Sequence, residues 1–225
     1  MSEREAILAR VREALKVPAS LPGAHNHDTP PIDSLRNFSK WLPLVGANID
    51  DQFALFRANS SELRTDFRLL DSIDRAVSEL AAISVSEGWK KIAFHRTEPT
   101  ASVAASLNLP AIVTDGGYDV NELESCDAGI SGCDALVAQT GTVVVTTRSV
   151  GGRALSILPP HHVVIARRDQ MLPDLPSAFV YLKTKYANAY PSMISLITGP
   201  SRTGDIERIL VLGAHGPRKL TILCF

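Results

Sequence analysis

The sequence predicts an α/β domain built on a parallel or mixed sheet with helices on both faces. Three observations predict it. From about residue 50 onward, strand-like segments alternate with helix-like ones, the order that lays crossover helices over a sheet. Several of those strands, such as Ile112-Val113-Thr114 and Thr142–Thr147, are apolar or β-branched on successive residues, as strands covered on both faces are. A chain of 225 residues, 45% hydrophobic and 21% charged, is long enough to bury about 70% of its unfolded surface.

Ahead of this domain stands a different kind of sequence. Residues 1–17 form an amphipathic helix in which Ile7, Val11 and Leu15 fall on one stripe with the charges around it. Pro18 to Pro31 then holds four prolines and a glycine in fourteen residues, which no regular element tolerates. Residues 18–49 are therefore a connector, with His25 and His27 as solvated loop residues, and the first helix is an arm on a tether. The α/β domain occupies residues 50–225.

Within it, Asp51–Ala58 reads as helix, and Leu63, Thr65, Phe67 and Leu69 alternate as a strand does. Ser72 can cap a helix whose apolar positions Ile73, Ala76, Val77, Leu80, Ala81 and Val85 follow the 3.6 period, with Gly88 as its stop. Lys91–Phe94, Ala111–Thr114, Ala128–Ser131, Thr142–Thr147, Val163–Ala166, Met193–Thr198 and Leu220–Cys224 are the further strands. Glu98–Leu107, Glu122–Cys126, a stretch within Gln170–Tyr186 and Asp205–Leu212 are the further helices, and a short helical turn is expected between Cys133 and Gly141.

Charge and cysteine usage narrow the partners. With 23 basic and 24 acidic residues the net charge is −1, which gives no global field for nucleic acid or an anionic membrane. No apolar run reaches the ~18–20 residues a bilayer span needs, and the charged first segment has no secretory h-region. Cys126, Cys133 and Cys224 are too scattered for a disulfide framework or a metal pair. They read as buried or idle thiols of a cytoplasmic protein without a metal site.

Four segments could carry chemistry. The strand Met193–Thr198 runs into Gly199-Pro200-Ser201-Arg202-Thr203-Gly204-Asp205, with a helix expected next. In open α/β sheets ligands bind at the carboxyl ends of strands, and a helix N-terminus favours anions. Ser201 and Thr203 add hydroxyls, and Arg202 adds a fork suited to carboxylate or phosphate. The same residues also fit a plain helix cap, with Arg202 in a structural ion pair. In Gly213-Ala214-His215-Gly216-Pro217-Arg218, His215 is either turn architecture or a catalyst, and Arg218 brings a second cation. Before the strand Thr142–Thr147, Asp134 can cap the expected helical turn, while Thr140, Gly141 and Thr142 hydrogen-bond either a ligand or their own backbone. Arg153 follows the flexible Gly151-Gly152, and His161 and His162 are adjacent, so in a strand they face opposite ways and cannot easily share one metal. His162 and His215 are the catalytic candidates. The expected site gathers Gly199–Asp205 and Gly213–Arg218 at the carboxyl edge of the sheet around a small anion.

These segments, read together, resemble the LutC/YkgG group of lactate utilisation proteins, the LUD domain. The resemblance rests on Ala135–Thr142, Arg153–His162, Thr198–Glu207 and Gly213–Arg218, in that order, and spans roughly residues 60–225. It implies a three-layer α/β/α sandwich with a mainly parallel sheet, as in the NagB/RpiA/CoA-transferase superfamily. It also implies a role, beside two iron–sulfur partner proteins, in oxidising L-lactate to pyruvate. One position departs from the group's pattern: Gln139 stands where an acidic residue is usual, and Gln cannot ionise. The chain lacks a ferredoxin-type cysteine run, so any iron–sulfur cluster is expected in a partner and no cofactor in this chain. The residues leave two other readings open. One is a stand-alone enzyme on a phosphorylated or CoA-linked substrate; the other is a non-catalytic regulatory or interaction module.

Overall fold

The structure is a computed structural model and describes residues 3–14, 42–206, 209–213 and 215–225. Contacts divide the chain into two units, residues 1–42 and 43–225. In the first, helix α1 spans Glu3–Ala14, with Ile7 largely exposed. Leu15, His25, His27 and most of the expected connector lie outside the described residues. The second unit begins earlier than the expected residue 50. Val45 packs into its core, and Pro43 O accepts a hydrogen bond from Gln139 Nε2 at 3.0 Å.

The strands of the second unit are β1 (Asp66–Leu69), β2 (Ile92–Phe94), β3 (Ala111–Val113), β4 (Ala128–Ser131), β5 (Ala135–Val137), β6 (Thr142–Thr146), β7 (His161–Ala166), β8 (Met171–Leu172), β9 (Ile194–Ile197), β10 (Arg202–Ile206), β11 (Ile209–Leu212) and β12 (Lys219–Cys224). Its helices are α2 (Ile49–Glu62), α3 (Ile73–Glu87), α4 (Thr100–Ala105), α5 (Val120–Glu124), α6 (Thr147–Val150) and α7 (Leu175–Lys185). Helix α3 shows why local signals are readable. Ser72 Oγ accepts from Arg75 N at 3.3 Å, Gly88 closes the helix at φ 68°, and Ala76, Leu80 and Ile83 share its buried face.

Six strands form one wholly parallel sheet in the order β1-β12-β7-β4-β2-β3. Every residue of β7 is buried, as the unbroken apolar pattern requires. Helices α3 and α4 cover one face, where Leu80, Ile83 and Val103 meet Ile92, Ile130 and Ile165. The opposite face is covered in two parts. Over β12 and β7, Phe53 and Phe56 of α2 and a second sheet pack on Val164, Ala166, Leu220 and Ile222. Over β2, Leu123 of α5 and Leu155 pack on Ala93. The second sheet has the order β8-β5-β6-β9, with β6 antiparallel to both neighbours, and α7 covers its outer side through Ala178, Leu182 and Tyr186. The architecture is thus the α/β/α class expected, with a small sheet inside one of the outer layers.

Two expected elements are corrected. The segment before Gly141 is not a helical turn from Cys133 on. Ala135–Val137 is a strand, with Leu136 in the core between the sheets and Ala135 and Val137 against α7, so both faces are covered. Only Ala138–Thr140 turns, as a 3-10 segment that Gly141 closes at φ 62°. The expected helix Asp205–Leu212 is an antiparallel hairpin of β10 and β11, with Arg202 opposite Leu212 and Ile206 opposite Ile209. Ile206, Ile209 and Leu210 mimic helical spacing, but Thr203, Ile206, Ile209 and Val211 are β-branched and favour extended backbone. No helix N-terminus therefore follows Gly199–Asp205.

Candidate functional site

Two cavities open at opposite ends of the parallel strands. The first holds part of the glycine-rich motifs. Ser201 N donates to Pro217 O at 2.9 Å, Gly213 N donates to Ser201 O at 2.9 Å, and Arg218 N donates to Pro160 O at 2.8 Å. These bonds bring Gly199–Ser201 against Gly213–Pro217 and seat both beside the starts of β7 and β12. The cavity there has a volume of about 250 Å³ and is lined by Thr198, Gly199, Ser201, His162 and His215 among others. It lies at the amino ends of these strands, not at the carboxyl edge. The reason is topological: β9 belongs to the second sheet and pairs antiparallel with β6, so the carboxyl-end rule for parallel strands does not carry over to the loop that follows it.

Its electrostatics also differ from expectation. None of its lining residues is Arg, Lys, Asp or Glu. Arg202, Arg153 and Arg218 are exposed and do not line it, and neither does the half-buried Thr203. Arg218 instead lies with Glu87 and His161 beside a shallow hollow over the other face of the sheet. The side chain of Asp205 lies outside the described residues. His162 and His161 face opposite ways, as adjacent strand residues must. His161 packs edge-on to Trp89 with ring centroids 5.3 Å apart and meets Thr221 Oγ1 at 2.9 Å. His162 Nε2 meets Ser131 Oγ at 2.8 Å, and that hydroxyl donates to Gly132 O at 2.9 Å. The hydroxyl hydrogen is thus spent, so Nε2 carries the proton and Nδ1 is a buried acceptor without a protein partner. Burial drives the His162 pKa down to about 3 and that of His161 down to about 4. His162 is neutral at pH 7 and cannot act as an acid there.

Thr140, Gly141 and Thr142 line neither cavity. Thr140 Oγ1 meets Thr142 Oγ1 at 2.7 Å, which meets Thr198 Oγ1 at 2.8 Å, so these hydroxyls serve one another. Asn59 Nδ2 donates to Ala138 O and Gln139 O at 2.9 and 3.0 Å, pinning the turn to α2. Gln139 itself holds Pro43.

The second cavity, about 440 Å³, opens at the carboxyl ends of β2, β4 and β7. Five separate segments build it. The loop after β2 brings Thr97 and Glu98, and α4 brings Thr100. Gly132, Cys133 and Asp134 follow β4, Arg148 and Ser149 open α6, Arg167 follows β7, and Tyr181, Lys185 and Tyr186 come from the end of α7. Gly132 keeps its floor open: a Cβ there would stand 3.4 Å from Thr100 Oγ1 and 3.5 Å from Thr97 Oγ1. Thr100 is fully buried and its hydroxyl has no protein partner.

Asp134, 1% exposed, is the most constrained group in this cavity. Its Oδ1 accepts from Lys185 Nζ at 2.8 Å and from Tyr186 OH at 2.5 Å. Burial alone would raise its pKa, but the donors Lys185 and Tyr186 outweigh burial and hold it below the usual carboxylate range. Lys185 in turn stays protonated, because Asp134 overrides the desolvation that would lower its pKa. It lies 5.3 Å from the Tyr181 ring centroid and 5.4 Å from that of Tyr186, and Arg148 lies 5.5 Å from the Tyr186 centroid. Arg148 Nη2 also donates to Ala189 O at 3.1 Å, and Arg167 Nε to Asp169 at 3.1 Å. Three cations, Arg148, Arg167 and Lys185, stand against two acids, Glu98 and Asp134. Cys133 contributes a thiol whose pKa burial pushes up, so it is not a thiolate nucleophile at pH 7. The arrangement can hold a carboxylate or phosphate and offers one ionised oxygen as acceptor.

None of these cavity residues stands out in the sequence as a ligand-binding candidate; Asp134 reads there only as a cap. Next to the cavity, His95 Nδ1 lies 3.2 Å from Thr114 Oγ1 and 3.3 Å from Asp115 Oδ2, at the ends of β2 and β3. Among the described residues, no three His, Cys, Asp or Glu side chains are grouped to hold a metal ion. No described helix is long and apolar enough to cross a membrane.

The chain is similar to known proteins. The family model for the LUD domain matches residues 117–224. Lactate utilization protein C of Geobacillus kaustophilus is 28% identical over 199 residues, covering 81% of this chain and 82% of that protein. The protein of the same name from Halalkalibacterium halodurans is 29% identical over 171 residues, covering 75% and 74%. That of Bacillus subtilis is 35% identical over 106 residues, covering 46% and 44%. Among solved structures, a DUF162 family protein from Deinococcus radiodurans superposes with a TM-score of 0.63 at 19% identity, over 81% of this chain and 99% of that one, a likeness of fold.

Proposed function

We propose, from its likeness to the LUD-domain family, that the chain is a lactate utilisation protein that binds a small carboxylate at the carboxyl ends of its parallel strands. The observation that carries the reading is the convergence of Arg148, Arg167 and Lys185 on one cavity there, in a chain of net charge −1. Such local concentration of cations favours an anion, and an Arg fork suits a carboxylate. The glycine-rich cavity at the amino ends has no such cation among its lining residues.

The names of its relatives support a place in lactate utilisation, and the resemblance in sequence implies iron–sulfur partner proteins that take the electrons when L-lactate becomes pyruvate. This chain's own thiols, Cys126, Cys133 and Cys224, are buried and unpaired, which supports assigning clusters to partners. The reading places the protein in the cytoplasm. A phosphorylated substrate is the second reading, favoured by the size of the cavity, about 440 Å³, which is ample for more than a three-carbon acid.

Calorimetric titration of the full chain with L-lactate and with inorganic phosphate tests both. The reading expects L-lactate to bind, and Arg148→Ala to weaken it roughly 10- to 150-fold, the value of one charge-assisted contact. Binding of phosphate and not L-lactate would select the second reading.

A further inference from the structure

We propose that Asp134 reads the hydroxyl group of a 2-hydroxy acid, its Oδ2 accepting the ligand's O–H while Arg148 and Arg167 take the ligand's carboxylate. The proposal rests on the anion-binding reading of this cavity and adds the residue that decides which carboxylates are retained.

The argument begins with how the carboxylate is satisfied. An ionised carboxylate has about four acceptor sites. Oδ1 takes two donors, Lys185 Nζ and Tyr186 OH. Oδ2 is buried and has no protein partner. Ser149 stands beside Asp134 and helps to lower its pKa, but its hydroxyl lies 3.2 Å from Thr146 O and makes no hydrogen bond of normal geometry to Oδ2. Leaving one oxygen of a buried, ionised group unpaired costs free energy that a fold normally avoids. The donors on Oδ1 keep the group charged, so it stays an acceptor and does not become a hydroxyl donor itself.

The surroundings then select the kind of donor. A ligand ammonium would meet Lys185, Arg148 and Arg167 around the same cavity, and like charges there repel. A neutral O–H has no such conflict. A hydroxyl on the carbon next to a carboxylate also presents both groups at once, an anion for the cations and a donor for Oδ2. The matching keto acid keeps the carboxylate but sets a carbonyl lone pair against Oδ2. A site built to receive a hydroxyl rejects the analogue that lacks it, because the buried polar partner is left unmatched.

The experiment compares L-lactate with pyruvate on the full chain, wild type and Asp134→Asn, by calorimetry. Wild type is expected to bind L-lactate roughly 10- to 150-fold more tightly than pyruvate. In Asp134→Asn the amide oxygen keeps the Lys185 and Tyr186 donors, which turns the amide NH₂ toward the ligand. The preference then collapses or inverts, since an N–H donates to a keto oxygen. A role confined to structure would lower both affinities together and leave their ratio unchanged, and that result overturns the proposal. So does a wild type that binds the two acids equally, a measurement that needs no variant to fold. A wild type that binds neither acid defeats the anion-binding reading itself.

Discussion

The two ends of the parallel sheet carry opposite kinds of site. In the glycine-rich cavity at the amino ends, glycine- and proline-rich segments meet through backbone hydrogen bonds beside His162, with no Arg, Lys, Asp or Glu among the lining residues. At the carboxyl ends, side chains from five segments meet around an ion pair between the buried Asp134 and the partly exposed Lys185. The first end is conspicuous in the sequence because its residues are contiguous. The second is assembled only by folding, and Arg148, Arg167 and Lys185 line its cavity. Contiguity in sequence reports a shared backbone path, whereas crossover connections are what bring distant charges to one edge.

Acid should separate the two ends most sharply. His161, flanked by Glu87 and Lys219, and His162 are both held neutral by burial, with pKa values of about 4 and about 3. The unfolded chain takes up these protons near pH 6.5, so stability present above that pH is lost as pH falls through the folded values. His161 alone accounts for about 3 kcal/mol of that loss between pH 6.5 and 4. Asp134, with its pKa lowered, stays ionised through the same window. Urea melts at pH 7 and pH 4 are expected to show a large loss in wild type and a clearly smaller one in His161→Gln. Equal losses would show that the amino end is not the acid-sensitive one.

Glycine replacements give the next largest contrast. Gly151 and Gly213 share a left-handed backbone, φ 65° and 77°. A Cβ at Gly151 would collide with His95 Nδ1 and stand 2.5 Å from Thr114 Oγ1, in the cluster next to the carboxyl-end cavity. At Gly213 it would collide with Cγ of Arg218, but that side chain is exposed and can turn away into solvent. Backbone strain costs each about 1 kcal/mol, and overpacking adds about 2 kcal/mol at Gly151. Gly151→Ala should therefore destabilise by about 3 kcal/mol and Gly213→Ala by about 1 kcal/mol, read by denaturant midpoint.

The arginines give the smallest contrast. Arg167 is already paired with Asp169 and half exposed, so Arg167→Ala should weaken L-lactate binding only about 2- to 10-fold. Arg202→Ala, at the other end and lining neither cavity, should change it less than about twofold. A larger effect from Arg202 than from Arg167 would return the ligand to the glycine-rich end.

What the sequence makes legible follows from the range of each signal. Helix α3 is readable because Ser72, Gly88 and the apolar spacing between them all act within one element. The parallel sheet is readable because strands like Val163–Ala166 are apolar on consecutive residues. The hairpin of β10 and β11 reads as a helix because its apolar spacing fits one as well as its β-branched residues fit a strand, and only pairing decides. The carboxyl-end cavity is not visible because Thr100, Asp134, Arg148, Arg167 and Lys185 form no motif. The signal that finds it is the carboxyl-end rule applied to the strands ending at Phe94, Ser131 and Ala166. Applied to the strand ending at Ile197, which lies in the other sheet, the same rule leads to the amino ends of the parallel strands.

The place of β12 has a consequence for biosynthesis. It lies between β1 and β7, with Thr221 paired to both Asp66 and Val163. A ribosome delivers β1 and β7 long before the strand that joins them. Until residues 219–224 emerge, the nascent chain holds two unsatisfied strand edges that face each other across a gap one strand wide. Such edges are templates for wrong pairing, and pairings this distant in sequence form slowly. The chain is therefore exposed to misassembly until residues 219–224 emerge, and its sheet closes from the middle.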